Sequence, residues 1–167
     1  AVCFLNLIIF NLNLHAEEFN ISAIEILVDK ANDIVIGKGS VTAIDSEGKQ
    51  IKADKITYKK KTEFLLAEGS VEILDTEGNI IKSDKATYDK LKEIIITYEN
   101  SEIEIKEGYK LTSNKILYEY VKKIMSSNQN STLTDIDGNI VTVSMFQYQL
   151  KKNLFSSVGK IKIIDAN

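Results

Sequence analysis

The chain has 167 residues, enough for one domain with a sizeable core or for a short repeat array. With 44% hydrophobic and 27% charged residues it reads as folded and not disordered. A formal charge of −3, with both signs interspersed, leaves no basic stripe that would suit a nucleic acid.

Residues 1–16 differ from all that follows. Phe4-Leu5-Asn6-Leu7-Ile8-Ile9-Phe10 is an uncharged apolar run, and Leu14-His15-Ala16 resembles a cleavage site ending in a small residue. The segment is expected to be a secretory signal peptide, truncated because it starts at Ala1 with no basic n-region, and too short for a comfortable membrane span. The single cysteine, Cys3, and the single histidine, His15, both fall in it. The remainder, residues 17–167, then has no means to form a disulfide, a thiolate nucleophile, a Ser-His triad or a His/Cys zinc site.

After a partial copy at Ile21 to Val28, one unit of 30 residues recurs four times without insertion: Gly48, Gly78, Gly108 and Gly138 mark it, as do Tyr58, Tyr88, Tyr118 and Tyr148. Ile51-Lys52-Ala53-Asp54-Lys55-Ile56-Thr57-Tyr58 returns as Ile81 to Tyr88, Leu111 to Tyr118 and Val141 to Tyr148. Each unit holds two turn signals. Ser46-Glu47-Gly48-Lys49 and its copies supply a glycine for the positive φ of a short hairpin. The polar tips Lys59 to Thr62, Asp89 to Lys92 and Gln149 to Lys152 supply the other. Segments of roughly ten residues rich in Ile, Val, Thr, Tyr and Phe lie between them, which is strand composition.

Apolar residues alternate along each strand, but the parity changes in the middle. Ile51 and Ala53 share one parity and Ile56 and Tyr58 the other; on the return strand Phe64 and Leu66 precede the change, and Val71 and Ile73 follow it. A bulge or sharp bend does this. With Tyr58 facing Phe64, Ile56 facing Leu66 and Ile73 facing Ile81, the changes align into a crease through Asp54-Lys55, Asp84-Lys85, Asn114-Lys115 and Ser144-Met145, with Gly39, Gly69 and Gly159 on partner strands. The expected fold is all-β, an elongated antiparallel jellyroll or folded sheet of two-strand repeats. Its inner surface is expected to hold Ile51, Ile56, Tyr58, Phe64, Leu66, Val71, Ile73, Ile81, Tyr88, Ile94, Ile96, Ile103, Ile116, Tyr118, Phe146 and Tyr148. The alternating end, Lys160 to Asp165, offers an open strand edge.

No singular catalytic constellation stands out, and no activity as an enzyme or use of a cofactor is expected. Asp54 and Asp84 give way to Asn114 and Ser144 at the same position, which suits backbone hydrogen bonding at a bend and not a general base. The tyrosine series reads as a cross-strand packing ladder. The acids are scattered beside lysines, without a calcium loop or other metal site. Lys59-Lys60-Lys61 reads as a solvated loop tip.

Gly-Ser-Val-x-x-x-Asp-x-x-Gly, x-x-Ala-Asp-Lys-Ile-x-Tyr and Ala-Glu-Gly-Ser-Val together resemble the OstA-like domain of lipopolysaccharide transport proteins, over about residues 19 to 165. That family includes the periplasmic LptA, the membrane-tethered LptC and the N-terminal domain of LptD. The resemblance implies a β-taco whose apolar groove holds lipid A acyl chains and whose strand edges join other bridge components, in the periplasm of a Gram-negative bacterium and on the way to the outer membrane. The leader, which looks cleavable, weighs against LptC. The start at Glu17 and the abrupt end favour an LptD portion, with a membrane barrel downstream, or a whole LptA. The alternative is a structural β-solenoid or adhesin built from the same repeats without lipid cargo.

Overall fold

The computed structural model describes residues 19–166; the expected leader, with Cys3 and His15, lies outside them. The described chain is a single antiparallel meander. Its strands are β1 (Asn20–Ser22), β2 (Glu25–Asp29), β3 (Ile34–Ile44), β4 (Gln50–Lys59), β5 (Phe64–Leu74), β6 (Ile80–Asp89), β7 (Ile94–Glu104), β8 (Lys110–Glu119), β9 (Ile124–Ser127), β10 (Ser131–Thr134), β11 (Ile140–Val143), β12 (Phe146–Gln149), β13 (Leu154–Ser157) and β14 (Ile161–Ile164). All pairings are antiparallel, which separates the fold from a solenoid wound in one direction.

The crease is a stack of register shifts. Pairing skips between Lys38 and Val41, Lys52 and Lys55, Glu68 and Val71, Lys82 and Lys85, and Tyr98 and Ser101. On β3, β5 and β7 two consecutive residues turn left-handed there: Gly39-Ser40, Gly69-Ser70 and Glu99-Asn100. They oppose one residue of the neighbouring strand, which is a bulge with an extra residue on the odd-numbered strand. Only the even-numbered strands therefore change parity. On β5 the inner face is Leu65, Ala67, Val71 and Ile73, all of one parity.

This corrects the expected register. Tyr58 pairs with Leu65, and Phe64 pairs with Lys59, because the tip is a four-residue loop with a 3-10 turn at Lys60–Thr62 and Glu63 left-handed at φ 48. Phe64 and Leu66, and in the next unit Ile94 and Ile96, consequently point to the outer face, where they are half-buried. Leu65, Ala67, Ile95 and Thr97 take the inner positions instead. At the other turn type the expectation stands: Ile73 pairs with Ile81, and Val71 with Ser83.

Past β8 the crease becomes a break. One half continues as β8-β10-β11-β14 and the other as β8-β9-β12-β13. The inner faces of the halves form one apolar cluster, from Phe19 and Val41 at one end to Phe146 and Tyr148 at the other. Each buried Ile, Leu or Val contributes about 1.5–3 kcal/mol, so this cluster is what keeps the sheet folded on itself.

Candidate functional site

Ile51, Ile56, Tyr58, Val71, Ile73, Ile81, Tyr88, Ile103, Ile116, Tyr118, Phe146 and Tyr148 all lie within this interior, none more than 4% exposed. Leu111, Met125, Leu133 and Val143 share it. Phe19, just before β1, turns inward and packs edge-on against Tyr58 and Tyr88, with centroids 5.0 and 6.0 Å away.

Folding at the crease brings the two kinds of turn together on the opposite side, along a seam. The glycine turns form one lip. Asp45 Oδ1 accepts the backbone N–H groups of Glu47 and Lys49, and Asp75 and Asp135 repeat the arrangement with Glu77 and Asn79 and with Asp137 and Asn139. The short Asp carboxylate thus shapes the turn that the glycine permits. The tips form the other lip, tied to one another by backbone bonds: Lys60 N–H to Asp33 O, Lys90 to Glu63, Tyr120 to Glu93 and Leu150 to Lys123.

Charge and aromatic contacts close the seam. Lys49 is fully buried: its Nζ lies 3.0 Å from Glu93 Oε2 and 3.6 Å from Asp45 Oδ2, donates to the Tyr88 hydroxyl, and sits over the Tyr88 and Tyr120 rings. One repeat on, the Tyr118 hydroxyl donates to Asp75 Oδ2 at 3.2 Å, Thr76 bonds Tyr120, and Lys123 pairs with Glu77 at 2.8 Å. Burial pushes the Tyr88 phenol far up, with Glu93 adding to it; burial and then the charge of Asp75 do the same to Tyr118. Both hydroxyls stay protonated donors. Burial is the largest single influence on Lys123 and works against its charge, but the hydrogen bonds and charges of Glu77 and Tyr120 together outweigh it and hold the ammonium above its ordinary value.

Sequence reasoning placed the buried residues, except at the tip-side positions of β5 and β7, and missed the seam. Lys49 gave no signal because its copies are Asn79, Tyr109 and Asn139. Asp54 and Asp84 do occupy the bend: Asp84 Oδ2 accepts from Asn100 Nδ2 at 2.6 Å, and a Cβ on Gly69 would meet Asp54 Oδ2 at 2.4 Å.

An apolar interior held between two halves of one creased antiparallel sheet defines a β-jellyroll of the kind that stacks strand on strand with both ends open. The chain belongs to the LptC family, described as lipopolysaccharide-assembly, LptC-related, whose profile matches residues 1–166. This is the branch that the leader weighed against. No curated protein sequence matches the chain. Among solved structures it is similar to that of LptH, the LptA homologous periplasmic component of the conserved lipopolysaccharide transport device from Pseudomonas aeruginosa, at 10% identity and a TM-score of 0.45, covering 90% of this chain and 96% of that one.

Proposed function

We propose that the chain is a periplasmic carrier of lipopolysaccharide, holding lipid A acyl chains between the two halves of its sheet and passing them toward the outer membrane. The observation that carries this is the largely apolar inner face, running from Phe19 to Tyr148 with small hydroxyl residues such as Ser83, Thr97 and Ser113 among its positions and without a catalytic constellation along it. Each methylene moved from water into such a face contributes about 0.8 kcal/mol, so several acyl chains suffice to hold the cargo with no chemistry done on it. The open edges suit end-to-end pairing with other bridge components: β2 exposes Ile26 and Val28, and β14 exposes Ile161 and Ile163.

Adjacent photo-crosslinking positions on one strand, in variants whose circular dichroism matches that of the unmodified protein, test the reading. A benzophenone side chain replacing Ile116, which faces inward, should capture lipopolysaccharide, whereas one replacing Leu117, which faces outward, should not. Equal capture at both positions would rule out an internal binding mode.

A further inference from the structure

The two lips of the seam carry opposite charge. Exposed acids dominate the glycine turns, with Glu47, Glu77, Glu107 and Asp137, while exposed lysines dominate the tips, with Lys61, Lys122, Lys151 and Lys152. Closure is tightest where Lys49 is fully buried. Farther along, the lips part around a cleft of about 190 Å3, lined by Glu77, Asn79, Lys106, Glu107, Lys123, Leu150 and Lys151. Three lysines line it, Lys106 from the glycine-turn lip and Lys123 and Lys151 from the tip lip, against the two acids Glu77 and Glu107, and Lys123 is engaged with Glu77. The third glycine turn also lacks the carboxylate that shapes the others, because Ile105 replaces Asp45, Asp75 and Asp135.

We infer that the seam is a side door to the interior, and that the Lys106-Lys123-Lys151 cleft receives the phosphate of an amphiphile whose tails pass between the lips. This rests on the proposed lipid-carrying function and adds where and by what chemistry the cargo is received. Closed, the interior is filled by its own side chains; Ile56, Ile73, Ile95 and Ile103 are at most 1% exposed. Tails therefore need the halves to separate, and a seam held by ion pairs and hydroxyl bonds yields to water or a competing anion more readily than the hydrogen-bonded strands do. A phosphate monoester competes directly with Glu77 for Lys123, since charge-assisted bonds to phosphate are among the strongest a lysine makes. Opening and headgroup capture are thereby the same event.

Two arms test this. In a Cys3→Ser background, Thr76→Cys and Val121→Cys, exposed residues on opposite lips beside the Thr76–Tyr120 bond, are joined by a short bis-maleimide or capped singly as a control. Purified lipid A should be taken up by the capped protein and excluded from the joined one. Uptake by both overturns the side door while leaving the carrier reading intact; uptake by neither the capped nor the unmodified protein defeats the carrier reading and the inference with it. In the second arm, Lys106→Gln with Lys151→Gln should weaken binding of lipid A roughly tenfold and leave a dephosphorylated lipid A unchanged. An equal loss for both lipids, or no loss for lipid A, overturns the headgroup site.

Discussion

Lys49 places an ammonium among aromatic rings, with no water in contact, and the arrangement holds because both carboxylate and hydroxyl partners reach it. Removing one member of such a pair leaves the others buried and uncompensated, which costs about 3–5 kcal/mol when the site is wholly dry. Glu93 retains 20% exposure, so Lys49→Ala is expected to lower unfolding free energy by about 3 kcal/mol in urea titrations. Lys52→Ala, which breaks the outer-face pair with Glu72 at 50% and 43% exposure, should cost less than about 1 kcal/mol. Indistinguishable losses would mean that the seam contributes no more than the surface pairs do. Asp135 tests the turns in the same way. The hydrogen bond from the Asn139 side chain, followed by the backbone bonds of the turn, lowers its pKa below the ordinary carboxylate value. A depressed folded value means that the stabilisation is present above about pH 4, the unfolded range, and disappears as pH falls through the folded value. A carboxyl NMR titration should show the Asp135 midpoint below that of an unstructured Asp, moving back toward it in Asn139→Ala.

At the scale of the strand, the odd-numbered members make the fold possible by placing two left-handed residues where the sheet creases. Glycine is the residue for that conformation, and Gly39 and Gly69 provide it, but β7 uses Glu99 at φ 61. The same position in two repeats therefore predicts opposite signs. Gly69→Ala forces a Cβ against Asp54, with contacts of 2.4 Å to Oδ2 and 3.0 Å to Cβ, and should destabilise by about 1–3 kcal/mol. Glu99→Gly relieves a left-handed side chain and should be neutral or stabilising by up to about 1 kcal/mol. Thermal unfolding of the two variants measures both; destabilisation by both would show that strain at the bulge does not govern the crease. The same bulge explains what was legible in the sequence. The 30-residue period, the glycine turns and the crease were readable because each leaves a repeated residue type. The inner face of β5 and β7 was not, since Phe64-Leu65-Leu66 and Ile94-Ile95-Ile96 are apolar at consecutive positions and alternation cannot say which parity faces inward. The length of the tip decides it, and its left-handed residues are Glu63, Glu93, Lys123 and Asn153, not glycines.

For the molecule as a whole, a repeat array in which each unit touches only its neighbours should melt piecemeal from its ends. The seam strengthens the coupling between adjacent units, because it reaches past the strand next in the sheet. Lys49, between β3 and β4, meets Tyr88 and Glu93 across the β6–β7 tip, and Asp75 and Glu77, between β5 and β6, meet Tyr118 and Lys123 across the β8–β9 tip. A period identifies the units, but it carries no information on which turn meets which tip. Strands β4 to β7 are thus held by continuous pairing on both sides and by seam contacts spanning several strands, so they should exchange their amide hydrogens together, at the free energy of global unfolding. Among the described residues, strand β14 has four exposed residues and pairs only with β11, and β13 pairs only with β12. Their amides should exchange faster than those of β4 to β7 by several orders of magnitude, and on independent schedules, because the break beyond β8 separates the halves to which they belong. Lys49→Ala should then lower protection across β4 and β7 alike while leaving β13 and β14 where they were. Native-state hydrogen exchange resolved by residue checks this; a loss confined to the β3–β4 turn would mean that the seam is a local contact and that the array melts unit by unit.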